Sequence, residues 1–396
     1  MEFDFTTILD RHGKDSLAAD KIPFEGVSVE EGFSSIPMWV ADMSFPAGPF
    51  IVDAIRKRLE MPNFGYFAPP EEYFEAIIRW HRERKDDSGL TKEAIGYENG
   101  VLGGVRSAVC AFSSPGESIL VHSPVYVGFT GTLNGLGRRM VFSDLKRDEA
   151  GIWRMDYEDM DRKLKENHIH LAIFCYPHNP CGRVWERWEI EKAMALFKKY
   201  DVYVVSDEIW SDIILSGKHI PVQSVSEDAK MRTVAFYAPS KTFNLAGLVG
   251  SYHIIRNRYL RDRVRKAGSM SHYNGMNVLS MHALIGAYTA EGGNWVNQMC
   301  QVIDQNITMA EKALTGIHGV RFYRPEGTYM IFPDFREWCE ANGKTMDQLE
   351  KACWDVGVAL QDGRMFHGAW NLRINLAMPS QYVEEAFHRL KQYVFQ

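Results

Sequence analysis

The chain has 396 residues, of which 45% are hydrophobic and 24% charged, with 45 Lys and Arg set against 51 Asp and Glu. This is the composition of an ordinary globular protein, long enough for one large α/β unit with an appendage or for two to three folding units. A net charge of −6 disfavours nucleic acid or an anionic membrane as a partner, and no apolar run reaches the roughly 18–20 residues that cross a bilayer.

The acidic start Met1-Glu2-Phe3-Asp4-Phe5 has no basic stretch ahead of an apolar core, so no secretory signal is expected. Six cysteines (Cys110, Cys175, Cys181, Cys300, Cys339, Cys353) are scattered without a close metal-ligand pair. A reduced, cytoplasmic setting without disulfides is the expectation. Between residues 50 and 290, helical patterns such as Glu189–Tyr200 alternate with short apolar runs bounded by turn residues. Ser118–His122, Ala172–Tyr176, Val202–Ser206 and Thr233–Tyr237 predict buried strands, and continuously apolar strands separated by helices predict a mainly parallel sheet covered on both faces. Further on, Gly319–Tyr323, Thr328–Phe332 and Leu372–Leu376 predict strands among helices such as Met346–Val356. The fold class read from this is α/β: a large domain over 50–290, and a smaller α+β domain from residues 1–49 and 291–396.

Ligands of open parallel sheets sit at the carboxyl ends of the strands, so the residues just after each apolar run carry the information. Glu98-Asn99-Gly100-Val101-Leu102-Gly103-Gly104 leads into a predicted helix, whose first backbone N–H groups can hold an anion. The turn Tyr176-Pro177-His178-Asn179-Pro180-Cys181-Gly182 places an amide after the second strand. Ser206-Asp207-Glu208 closes the third strand with an acidic pair, which can cap a helix or keep a ring nitrogen protonated. Ser240-Lys241-Thr242 follows the fourth; a desolvated lysine there is a nucleophile toward an aldehyde, whereas alone it reads more readily as a loop lysine.

Taken together, the order Gly100, Asn179, Asp207, Lys241 resembles the fold-type I pyridoxal 5′-phosphate (PLP) enzymes. The resemblance is to their cystathionine β-lyase or C–S lyase branch, carried by Met38-Trp39-Val40-Ala41-Asp42-Met43, Pro177–Trp185, Ser206–Ile209, Ser240–Gly247 and Pro325–Tyr329. It implies a PLP-dependent transferase-like fold with a seven-stranded sheet. It implies that Lys241 attaches the cofactor and moves protons, that Asp207 pairs with the ring nitrogen, and that Asn179 pairs with the ring hydroxyl. Tyr126 would stack on the ring, and Gly100, Val101 and Leu102 with Ser240 would hold the phosphate. Tyr66 would reach the phosphate of a second subunit, making a homodimer with shared sites, and Arg373 would clamp the substrate carboxylate. The implied reaction is elimination from a cysteine-like amino acid to pyruvate, ammonia and a thiol. The same constellation serves an aminotransferase, and a PLP-binding regulatory protein is a third reading. Three positions depart from the pattern: Val249 stands where many relatives carry a phosphate-binding arginine, Trp210 where tyrosine or histidine is usual, and the segment Phe366–Arg373 is short.

Overall fold

The computed structural model describes residues 2–396 and divides into two compact units. The larger holds residues 47–179 and 183–296; the smaller holds residues up to 46, 180–182 and 297–396. The border near 296 falls inside the helix Ala290–Thr315.

In chain order the larger unit contains helix α1 (Glu71–Lys85), strand β1 (Ile95–Glu98), helix α2 (Val101–Phe112), and strands β2 (Ser118–Ser123), β3 (Arg139–Asp144) and β4 (Leu171–Cys175). Helix α3 (Arg187–Lys199), strand β5 (Tyr203–Asp207), strand β6 (Thr233–Tyr237), the one-turn helix α4 (Pro239–Thr242) and strand β7 (Ser251–Ile254) follow. The strands form one seven-stranded sheet in the order β1-β7-β6-β5-β4-β2-β3. Only β7 runs against its neighbours, β1 and β6. Strands β4 and β6 are buried at every position, which is why they read as unbroken apolar runs instead of alternating ones. Helix α3 begins at a capping box between Glu186 and Glu189 and ends where Asp201 turns left-handed at φ 51°.

Helix α2 lies close against the sheet. A Cβ on Gly104 would stand 2.4 Å from the Phe236 ring on β6, so the contact has room only for hydrogen. Around it, Val105, Val109, Ile119, Ile173, Val205, Val234 and Phe236 form an apolar core cluster. The parallel strands β2, β4, β5 and β6 end on one edge, and β1 shares their direction because both β1 and β6 oppose β7.

In the smaller unit, β8 (Met330–Ile331), β9 (Gln361–Asp362) and β10 (Leu372–Asn375) form an antiparallel sheet with β10 in the centre. Ile36–Pro37 pairs in parallel with Val358–Ala359, which ties the N-terminal segment to this unit. Trp39 and Trp354 pack together there with Phe24 against them. The predicted strand Gly319–Tyr323 is a loop. Its strand-type pairing among the described residues is one bridge, Arg321 to Asp334, and Gly319 is held at φ 82° with its carbonyl accepting from Trp338 N. A β-rich run becomes a strand only where a partner extends beside it, and here the left-handed glycine takes the chain away after one pair.

Among the described residues no helix is long and apolar enough to cross a membrane, and no cluster of His, Cys, Asp and Glu is arranged to hold a metal ion.

Candidate active site

The sheet edge at which β1, β2, β4, β5 and β6 end collects Gly100, Tyr126, Asn179, Asp207 and Lys241, one after each strand. Asp207 closes β5 and is 3% exposed, and its Oδ1 accepts from the backbone N–H of Ile209 at 3.1 Å. It therefore turns the chain after β5 and caps no helix. Burial raises its carboxyl to about 7, with Glu208 adding to the rise and Ile209 N–H and Lys241 opposing it. A carboxyl in that state is short of counter-charge and will gain from any cation brought against it.

Lys241 lies in α4, half-buried, its Nζ 5.8 Å from the centroid of the Trp210 ring. Trp210 itself is 2% exposed, so the departure from the family pattern at this position is filled by a packed indole beside the lysine. Asn179 is 3% exposed on the loop after β4, where its backbone N–H meets Cys175 Sγ at 3.5 Å. That loop is held shut by the pair His178–Arg183, and the Arg183 guanidinium is buried against Glu189 at 2.5 Å. Tyr126 follows β2, half-buried, its ring edge-to-face with Phe129 at 5.3 Å.

Gly100 has φ 78°, which only glycine adopts without strain, and it turns β1 directly into α2. The first N–H groups of α2, at Val101 and Leu102, have no acceptor within their own helix and could hold an anion. Val249 Cγ1 lies 3.9 Å from where a Cβ on Gly100 would stand, so an apolar group borders this cradle. Val249 is itself in the left-handed region, at φ 49° and ψ 55°, and is 44% exposed. For a β-branched residue that conformation costs about 1–2 kcal/mol. Val249→Asn, a residue that tolerates this region, is expected to raise the urea midpoint by the equivalent of about 1 kcal/mol with an unchanged m-value. No rise at all would show that the loop relaxes without cost.

In the smaller unit Arg373 sits on the central strand β10 and is 4% exposed, so it is not a solvated surface charge. Its Nη2 donates to Trp39 O at 3.1 Å and to Gln361 Oε1, and its guanidinium lies over the Phe366 ring at 4.3 Å. The short segment that leads into it is a closed turn: Gly363 N donates to Asn371 O, and the Asn371 amide donates to Phe332 O and Pro333 O. Asn375 on the same strand donates to Val40 O and Asp42 O, so the stretch from Met38 to Met43 frames the arginine's strand.

Tyr66 is fully exposed, in a stretch where Met61 (65%) and Phe64 (61%) are also exposed. Sequence reasoning missed three residues. Gln361 and Phe366 orient Arg373 and carry no motif of their own. His122, on β2, is buried with its Nε2 unpartnered, and burial lowers it to about 4. It lines a cavity of about 10 Å³, room for one water, with Tyr126, Cys175 and His178. A histidine inside a strand pattern could have signalled it.

Such an edge unites a half-buried amine, a near-neutral buried carboxyl, an amide and a helix N-terminus, the equipment of an enzyme that holds an anionic aldehyde cofactor. The profile of the class I and II aminotransferases matches residues 41–390, and the chain belongs to that family. Among curated relatives it is 34% identical to cystathionine beta-lyase PatB of Bacillus subtilis, over 90% of this chain and 92% of that one. Among solved structures, a PLP-bound putative aminotransferase from Clostridium difficile is 33% identical with a TM-score of 0.91, covering 99% of this chain and all of that one. Cystalysin from Treponema denticola, which contains pyridoxal 5′-phosphate, is 30% identical with a TM-score of 0.89, covering all of this chain and 99% of that one.

Proposed function

We propose that the protein is a PLP-dependent carbon–sulfur β-lyase acting on cysteine- or cystathionine-type amino acids. The observation that carries the reaction type is the likeness to PatB over nearly the whole chain. The residues suit the cofactor: the under-compensated carboxyl of Asp207 matches a protonated ring nitrogen, the N-terminus of α2 matches a phosphate, and Lys241 supplies the amine. Bound PLP supplies an electron sink for a carbanion at Cα of the substrate.

The chain's own residues then divide the work. Lys241 would hold the cofactor covalently, and its amine would take the proton from the substrate Cα and manage proton transfer as the thiolate leaves Cβ. Asp207 would keep the ring nitrogen charged, the Asn179 amide would donate to the ring hydroxyl oxygen, and the Tyr126 side chain would stack on the ring. Gly100, Val101 and Leu102 with the Ser240 hydroxyl take the phosphate. With Val249 beside them, backbone dipoles replace a side-chain cation there. Arg373 takes the substrate α-carboxylate, its guanidinium oriented by Gln361 and Phe366. The 2-aminoacrylate left after elimination hydrolyses to pyruvate and ammonia.

The active unit is a homodimer, in which a second copy covers the exposed stretch around Phe64 and receives Tyr66 at its phosphate. The setting is the cytoplasm, where the six cysteines, all free thiols here, stay reduced. The test is one incubation series with cystathionine, with cysteine, and with alanine plus 2-oxoglutarate, following pyruvate, thiol and glutamate separately. Pyruvate with thiol and without glutamate is expected; glutamate alone would replace the lyase by an aminotransferase.

A further inference from the structure

The larger unit buries an ion pair that the roles above leave unused. Lys85, at the end of α1, has a side chain 1% exposed, and Asp212, five residues beyond Asp207, has one 4% exposed. Lys85 Nζ donates to Asp212 Oδ1 at 2.6 Å, and Trp80 Nε1 donates to the same oxygen at 3.1 Å. Arg84 Nε stands 3.9 Å away. The other carboxylate oxygen, Oδ2, accepts from the Thr242 hydroxyl at 3.1 Å, and Thr242 is wholly buried. Thr242 is the residue after Lys241.

A buried lysine–aspartate pair gains little stability over apolar residues of the same volume, because desolvation cancels most of the attraction. Its use lies in what it holds. Helix α4 has four residues, too few for a helix to persist by its own hydrogen bonds, so tertiary contacts must set its rotation. Consecutive helical side chains point about 100° apart. Fixing the Thr242 hydroxyl inward therefore fixes the direction in which Lys241 emerges, toward the indole of Trp210 on the same short segment as Asp212.

We propose that Asp212, with Lys85 as its buried counter-ion, is the positioning residue for Lys241, acting through the hydroxyl of Thr242. The segment 207–212 thus carries two aspartates of opposite character. Burial raises Asp207 to about 7; at Asp212 burial pushes the same way, but Lys85 and Arg84 outweigh it and hold the carboxyl at about 2. The second stays charged and acts as a fixed acceptor, while the first meets the cofactor.

This inference rests on Lys241 being the cofactor lysine, and the experiment separates the two. In the cofactor-free protein, arylation of Lys241 by trinitrobenzenesulfonate is timed by peptide mass, and covalent capture of PLP is timed by visible absorbance. Wild type, Thr242→Ser, Thr242→Val and the double variant Lys85→Met with Asp212→Asn are compared, with far-ultraviolet dichroism as the control for folding. Thr242→Val and the double variant are expected to slow both reactions about tenfold, and Thr242→Ser to stay within about twofold of wild type. A folded Thr242→Val or double variant that reacts at the wild-type rate overturns the proposal. So does loss of the fold in both, which would make the network purely structural. Failure of wild-type protein to capture the aldehyde at Lys241 overturns the reading of that lysine, and this inference with it.

Discussion

A Lys241→Ala protein is expected to fold as wild type does and to bind PLP without developing the visible band of a lysine-linked cofactor. Borohydride should then leave no cofactor covalently attached, whereas the wild-type chain should retain it on the peptide containing Ser240-Lys241-Thr242. Pyruvate release should fall by about 10³-fold or more, since one side chain serves as both nucleophile and proton carrier and groups of either kind are worth about 10²–10⁴. Folding should survive because Lys241 is only half-buried. Attachment of the cofactor to another lysine after borohydride treatment would refute the assignment.

The second large effect is at Asp207. Its carboxyl stands at about 7 in the folded, cofactor-free chain, against about 3.9 when unfolded. Between these values the native state keeps a proton that the unfolded state has released, so ν for the unfolded state is the smaller and stability falls as pH rises. The protection is complete below about pH 4 and gone above about pH 7. Asp207→Asn keeps the shape and cannot ionise. Its urea midpoint is therefore expected to lack this component of the fall between pH 4 and 7. With cofactor the same substitution removes one partner of a buried charge pair, worth about 3–5 kcal/mol, so PLP affinity should drop by roughly 10²–10⁴-fold. An unchanged pH slope together with unchanged affinity would show that Asp207 meets neither water-free surroundings nor the ring.

Both residues were legible before any coordinates, and for a physical reason. Strands β4, β5 and β6 are buried along most or all of their length, so they stand out as apolar runs, and a parallel sheet presents its chemistry at their carboxyl ends. Asn179, Asp207 and Lys241 follow directly. Gly100 was legible from its glycine-rich stretch ahead of a predicted helix, and the structure supplies the reason for glycine there, a turn from β1 into α2 at φ 78°. The segment Gly319–Tyr323 shows the limit of such reading. Its composition suits a strand, but strand formation is a pairing, and the pairing ends after the bridge from Arg321 to Asp334.

Lys241 and Asp207 needed only local pattern and chain order; the apparatus around them needed the fold. Lys85 and Asp212 are 127 positions apart, and each alone reads as a solvated surface charge. Nothing in periodicity or composition joins a helix end to a loop beyond β5. Arg373 was placed on a strand by sequence, yet Gln361 and Phe366, which fix its guanidinium, lie across a turn whose closure depends on Gly363 and Asn371 meeting. The sequence by itself determined four buried strands of the sheet and the residues at their ends, because burial on both faces writes itself into local composition. Only the tertiary structure decided which buried charges meet, because desolvation and pairing are properties of distance in space and leave no periodic trace along the chain.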